Sequence, residues 1–193
     1  MIYAPNMLLI GAASRNVGKT TFACEIVRRF MDTPVSAAKV TAIQERDGLC
    51  PRGGKGCGVC TSLEGDYCIT GETSVEGTKD TQRLLAAGAK QVLWLRVLKE
   101  KLEQGAQELL EQIGKDTPVI CESNSLRTVV VPGLFLMLEN PESPQRKQSA
   151  TDVRHYADTI VHSDGQHFLF DFDRIFLAAS TWHLDQGIRI LET

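Results

Sequence analysis

Two groups of residues in this chain have types and spacings suited to chemistry, and acidic residues stand ready to serve the first. The first group is the run Ile10-Gly11-Ala12-Ala13-Ser14-Arg15-Asn16-Val17-Gly18-Lys19-Thr20-Thr21, which joins an apolar stretch to an amphipathic one. A glycine-bearing turn that opens a helix directs peptide N–H groups and the positive end of the helix at an anion. Lys19 follows where an ammonium would meet the β- and γ-phosphates of a nucleoside triphosphate, and the Thr20 hydroxyl is placed to coordinate Mg²⁺. Ser14, Arg15, Asn16, Val17, Gly18, Lys19, Thr20 and Thr21 are therefore the expected phosphate-binding residues. The usual first glycine of such a loop is here Ala13, with Gly11 two residues earlier; at positive φ an alanine would cost about 1 kcal/mol or more.

The second group is Cys50, Cys57, Cys60 and Cys68, with six, two and seven residues between them in a glycine-rich setting. Four thiolates can close a tetrahedral Zn²⁺ site or hold an iron–sulfur cluster, and the spacing decides for neither. Free thiols and a Cys57–Cys60 redox pair are the plain alternatives. Cys24 and Cys121 fall in apolar patterns and read as small core residues.

Acidic residues complete the phosphate chemistry. Glu122 ends the run Pro118-Val119-Ile120-Cys121-Glu122, and ligands of open α/β sheets bind at the carboxyl ends of strands. Asp80 opens a helical stretch, where it serves Mg²⁺ or only the helix dipole. With Lys19, these two acids make up the expected catalytic set. Lys39 is a further candidate to face the nucleotide. Asn124 and Ser125 are possible polar contacts or turn residues. The segment Arg146-Lys147-Gln148-Ser149-Ala150 is a candidate for the base, since no Asn-Lys-x-Asp guanine signature occurs and GTP and ATP both stay open. His155, His162, His167 and His183 lack paired ligand spacing and read as structural; Trp94 and Trp182 read as core.

The elements that must position these groups follow from periodicity. Strands are expected over Met7–Ala12, Ala37–Ile43, Gln91–Val97, Thr117–Glu122, Leu134–Leu138 and Asp158–His162. Helices are expected over Gly18–Met31, Lys79–Ala87 with Thr78 as cap, Leu98–Ile113 and Ala150–Tyr156. A last strand and helix fall within His167–Leu184. The stretch 44–77 has no period and is too long for a mere connection. Alternating strands and helices predict a three-layer α/β fold, a mostly parallel sheet with helices on both faces, in one domain over residues 1–193.

Composition limits the partners. The chain has 193 residues, 42% apolar and 23% charged, with a net charge of -3 and six cysteines. Scattered basic residues and slight acidity argue against nucleic acid. No apolar run is long enough to span a bilayer, and the start of the sequence lacks secretory features, so a cytoplasmic protein with mostly reduced thiols is expected.

The order of elements resembles the molybdopterin-guanine dinucleotide biosynthesis adaptor family. The resemblance rests on Gly18-Lys19-Thr20-Thr21 after a first strand. It rests also on Gly77-Thr78-Lys79-Asp80-Thr81 followed by Ala87-Gly88-Ala89, similar to the family's Lys-Asp-Ser and Ala-Gly-Ala run, and on a strand ending in Glu122, where the family has Glu-Gly. It spans about Met7 to Asn124 and implies a P-loop GTP-binding protein, often a homodimer, that helps build or deliver a molybdenum cofactor. By position it implies Lys19 and Thr20 for phosphate and Mg²⁺, with Asp80 and Glu122 near the metal. Ser123 stands where the family has glycine, and the cysteine loop is additional. The Gly11–Thr20 stretch also looks like the loop of dethiobiotin synthetase and cobyrinate-type ligases. The expectation is a slow, Mg-dependent NTPase serving a metallocofactor enzyme or its assembly. An ATP-dependent small-molecule ligase or kinase, and a nucleotide-gated metal-cluster adaptor without significant catalysis, are the alternatives.

Overall fold

A computed structural model describes residues 1–43, 63, 65–143 and 145–185. Along the chain it forms β1 (Ile2–Ala12), α1 (Lys19–Arg29), β2 (Ser36–Ile43), β3 (Tyr67–Gly71), α2 (Asp80–Ala86), β4 (Val92–Leu98), α3 (Leu102–Ile113), β5 (Val119–Glu122), β6 (Val130–Glu139), α4 (Gln148–Thr151), β7 (Thr159–Ser163), β8 (Phe168–Leu169), β9 (Ile175–Ala178) and β10 (Thr181–Leu184), with short 3-10 turns between some of them. Eight strands form one sheet in the order β3-β4-β2-β5-β1-β6-β7-β8, and β9 and β10 pair as a separate hairpin. The large sheet is parallel except where β3 runs against β4 and β8 against β7.

Strand alternation in β1 divides the core between the two faces. Leu8, Ile10 and Ala12 pack with Phe22, Ala23, Ile26 and Val27 of α1 and Leu84 of α2. Met7 and Leu9 pack with Leu102, Ala106, Leu109 and Ile113 of α3 on the opposite side. The protein is thus an α/β fold with helices against both faces of a mostly parallel sheet.

Several elements differ from the pattern in the sequence. β1 starts at Ile2 and β6 at Val130, because their early residues pair with each other across a register shift between Ala4 and Leu8; Pro5 and Pro132 interrupt the apolar pattern there without ending the strands. Leu98 closes β4 rather than opening a helix: it is buried with Ile43 and Leu63, and a 3-10 turn over Lys99–Lys101 precedes α3. Lys79, not Thr78, sits at the start of α2, where its N–H donates to Gln82 Oε1 at 3.2 Å. The expected helix over Ala150–Tyr156 is broken: α4 stops at Thr151, and a separate 3-10 turn spans Arg154–Tyr156. α1 likewise stops at Arg29, two residues short of Met31.

No final helix follows His167 among the described residues. The chain forms β8, a 3-10 turn over Phe172–Arg174 and the β9–β10 hairpin. Ala179 and Ser180 turn the hairpin with φ of 48° and 63°, the paired positive values of a tight two-residue connection. Trp182 of this hairpin is buried with its ring against Phe30. β3, within the aperiodic stretch, is an antiparallel edge strand. Among the described residues no helix is long and apolar enough to cross a membrane.

The connections also set a switch point in the sheet. β1 lies between β5 and β6. The chain leaving β1 runs through α1 to β2 on one side, whereas the chain leaving β5 runs to β6 on the other. Strand order reverses here, which opens a crevice at the carboxyl ends of β1 and β5.

Candidate functional site

The β1–α1 turn lines that crevice. Gly18 caps α1 at φ 75° and ψ 22°, no side chain caps the helix, and its first turn carries no acidic residue. The leading N–H groups of a helix have no intrahelical acceptor. A lysine at the first helical position adds positive charge to the positive end of the dipole. Ala13 does not take positive φ, so its replacement of glycine carries no such strain; besides Gly18 the left-handed residue of the turn is Asn16, at φ 60°, a conformation asparagine tolerates. Ser14, Val17 and Thr20 are buried, Gly18, Lys19 and Thr21 half-buried, and Arg15 and Asn16 exposed.

Two carboxylates face the turn. Glu122 is 1% exposed, and its Oε2 lies 3.9 Å from Lys19 Nζ. Neither carboxylate oxygen has a hydrogen-bond partner. Buried oxygens without hydrogen-bond partners are costly to hold. On the other side, Asp80 accepts a hydrogen bond from the Lys39 ammonium and stands beside the Thr20 hydroxyl. Burial pushes the Asp80 carboxyl up, but the Lys39 hydrogen bond and charge, the Thr20 hydroxyl and the Lys19 ammonium outweigh it and hold the group below its ordinary range. The register brings these elements together, because Lys39 pairs across the sheet with Glu122, and Glu122 with Ile10.

The turn is anchored from two sides. Asn124 Oδ1 accepts from Ala12 N–H at 2.7 Å, and its Nδ2 donates to the Ala12 carbonyl at 3.0 Å and to Ser149 Oγ at 3.2 Å. Gly11 leaves room for this side chain: an added Cβ would stand 3.0 Å from Asn124 Oδ1 and 2.8 Å from Met137 Cε. Lys147 N–H donates to the Ala13 carbonyl at 2.8 Å, so the 146–150 segment packs beneath the turn. Arg146 pairs with Glu139, which Arg154 also holds at 3.0 Å. From above, the β7–β8 connection covers the turn: a Cβ on Gly18 would stand 2.8 Å from the Gly165 carbonyl oxygen, and one on Gly165 only 2.5 Å from that of Asn16.

The crevice therefore gathers Lys19, Thr20, Asp80, Glu122 and Lys39. Asn124 lies in it as a backbone clamp. Ser125 opens a 3-10 turn over Ser125–Thr128. Thr21 points toward α2, where it accepts from Arg83 at 2.9 Å. The four histidines are all exposed. Trp94 is half-buried on β4, donating to Thr41 Oγ1 at 3.0 Å, with Arg96 over its ring. Cys24 and Cys121 are buried in the core and burial pushes both thiols up.

Cys68 lies on β3, half-buried, and its Sγ accepts from Arg96 Nη2 at 3.5 Å. Cys50, Cys57 and Cys60 lie outside the described residues. Thr20, Asp80 and Glu122 offer only oxygen donors, the type a hard divalent cation takes, and both Glu122 oxygens are buried without partners. Sequence reasoning missed the Glu139–Arg146–Arg154 cluster and the cover by Gly165, neither of which leaves a local signature.

No protein-family model, curated protein or solved structure matches the chain.

Proposed function

We propose that this protein is a P-loop nucleotide-binding protein, a slow Mg-dependent hydrolase of GTP or ATP, that acts as an accessory in metallocofactor assembly, the molybdenum cofactor being one such case. The observation that carries the reading is the buried Glu122 carboxylate, unpartnered at both oxygens, facing Lys19 at the uncapped start of α1. A triphosphate at that helix end would satisfy the free N–H groups and the Lys19 charge. Thr20 and Asp80 would hold Mg²⁺, which when bound neutralises charge on the phosphoryl oxygens. Glu122 would orient the attacking water. The cysteine-bearing stretch, with Cys68 at the edge of the same sheet, is the element that points to metal cargo.

Binding of ATP and GTP with Mg²⁺, measured by calorimetry, tests the reading. Tight binding by the native protein and an affinity about a hundredfold lower in Lys19→Ala are expected, the scale of removing one partner of a desolvated charge contact. No affinity for either nucleotide would refute it. Turnover above about 10 s⁻¹ without a partner would mark a metabolic enzyme instead.

A further inference from the structure

Asp80 meets two groups from different elements and holds one of them, Lys39, as an ion pair. The Thr20 hydroxyl comes from the first turn of α1, and the Lys39 ammonium from the middle of β2. A hydroxyl and a carboxylate converging beside a helix start are the ligands of a hard cation. Here a side-chain ammonium is the cation that the carboxylate holds. Lys39 is suited to this role, since its charge is compact, rotatable and carried on a flexible stem. Its own strand position pairs with Glu122, whose carboxylate faces Lys19. Neighbouring strands are about 4.8 Å apart, so an ammonium that leaves Asp80 stays beside Glu122 and Lys19.

We infer that Lys39 is a resident placeholder for the divalent cation: without nucleotide it occupies Asp80 and keeps Thr20 in its ligand position, and with metal and triphosphate it moves from Asp80 to the terminal phosphoryl group. This inference rests on the nucleotide-binding reading above. Asp80 exchanges one cation for another, so its own carboxylate is never left uncompensated. Lys39 then supplies positive charge where β2 lies beside β5. In hydrolysis the water oxygen bonds to the γ-phosphorus and the bond from that phosphorus to the β–γ bridging oxygen breaks. The nucleoside diphosphate leaves with the electron pair, and the water proton passes to Glu122. Lys39 remains an ammonium throughout and stabilises the charge developing on the equatorial oxygens.

The test is titration of Mg²⁺ alone into the nucleotide-free protein, followed by nucleotide binding and hydrolysis. Lys39→Met is expected to bind Mg²⁺ about tenfold tighter than the native protein, and Asp80→Asn to lose that binding. With Mg²⁺ and nucleotide, Lys39→Met should retain affinity within about threefold of native while hydrolysis falls about a hundredfold. Lys39→Gln, which keeps a neutral donor to Asp80, repeats the readings if the methionine variant does not fold. Unchanged Mg²⁺ affinity, unchanged hydrolysis, or a nucleotide affinity as weak as that of Lys19→Ala would each overturn the inference. A native protein that binds no triphosphate would sink the nucleotide reading alone, because the Mg²⁺ titration would still report on Lys39 and Asp80.

Discussion

Asn124 closes both hydrogen bonds of a single residue, Ala12, with its Oδ1 on the N–H and its Nδ2 on the carbonyl. Asn124 is itself buried, two residues beyond Glu122. One side-chain amide thus ties the end of β5 to the end of β1, the two strands whose carboxyl ends form the crevice. Asn124→Ala leaves a buried donor and a buried acceptor without partners and should cost about 2 to 4 kcal/mol of unfolding free energy in urea denaturation. Nucleotide affinity should fall with it, since the root of the turn loses its anchor. A fully stable variant would show that the clamp is dispensable.

Gly165 should be intolerant of a side chain for two separate reasons. Its φ is +100°, and a Cβ there would meet the Asn16 carbonyl oxygen at 2.5 Å. Gly65, at φ +75° with nothing within 4 Å of an added Cβ, isolates the backbone cost. Gly65→Ala is expected to cost about 1 kcal/mol. Gly165→Ala should cost about 1 to 3 kcal/mol more, because backbone rather than a flexible side chain must give way. Thermal melts of the two variants give the comparison, and equal losses would remove the β7–β8 connection as a support of the turn.

Glu139 gives the fold an acid-sensitive point near the same edge. Burial pushes its carboxyl up, but hydrogen bonds and charge from Arg154 and Arg146 prevail and hold it below its ordinary range. A depressed carboxylate stabilises the fold at neutral pH, and this contribution is lost as the pH falls below about 4 and through the folded value. Glu139→Gln should therefore lower stability at pH 7 by about 1 to 3 kcal/mol and flatten the acid limb of a stability–pH curve. An acid limb of unchanged slope in the variant would place the sensitivity in other carboxylates, Asp80 first among them.

The cysteine-bearing stretch makes its own prediction. Protein purified without oxygen should carry bound metal that is lost in Cys60→Ser. Iron with visible charge-transfer absorption would identify a cluster, and zinc without colour a closed tetrahedral site. Metal-free native protein would leave the stretch without the ligand proposed for it.

The crevice was legible in the sequence to the extent that local pattern defines it. Gly18-Lys19-Thr20 after an apolar strand, and Glu122 at the end of another, are signals that each fit within a few residues of sequence. The partners of those residues are not. Lys39 meets Asp80 only because β2 lies between β4 and β5 and because α2 begins at Asp80, a consequence of strand order that no single window contains. Asn124 looked like a turn residue or a ligand contact, and its actual use depends on the register of β1 against β5. The β9–β10 hairpin escaped notice because Ala179-Ser180 lacks the Asn-Gly or Asp-Gly signature of such turns. β3 escaped because a five-residue edge strand inside a glycine-rich stretch has too few residues to show alternation.

The direction of β3 has a spatial corollary. β2 runs parallel to β4 and ends at Ile43, level with Leu98, while β3 runs the opposite way and starts at Tyr67, level with Val97. The stretch between them is consequently rooted, at entry and at exit, on the rim of the sheet where β1 delivers Lys19. Cys68, the second residue of β3, therefore stands at the same end of the sheet as Lys19, with β4, β2 and β5 between them.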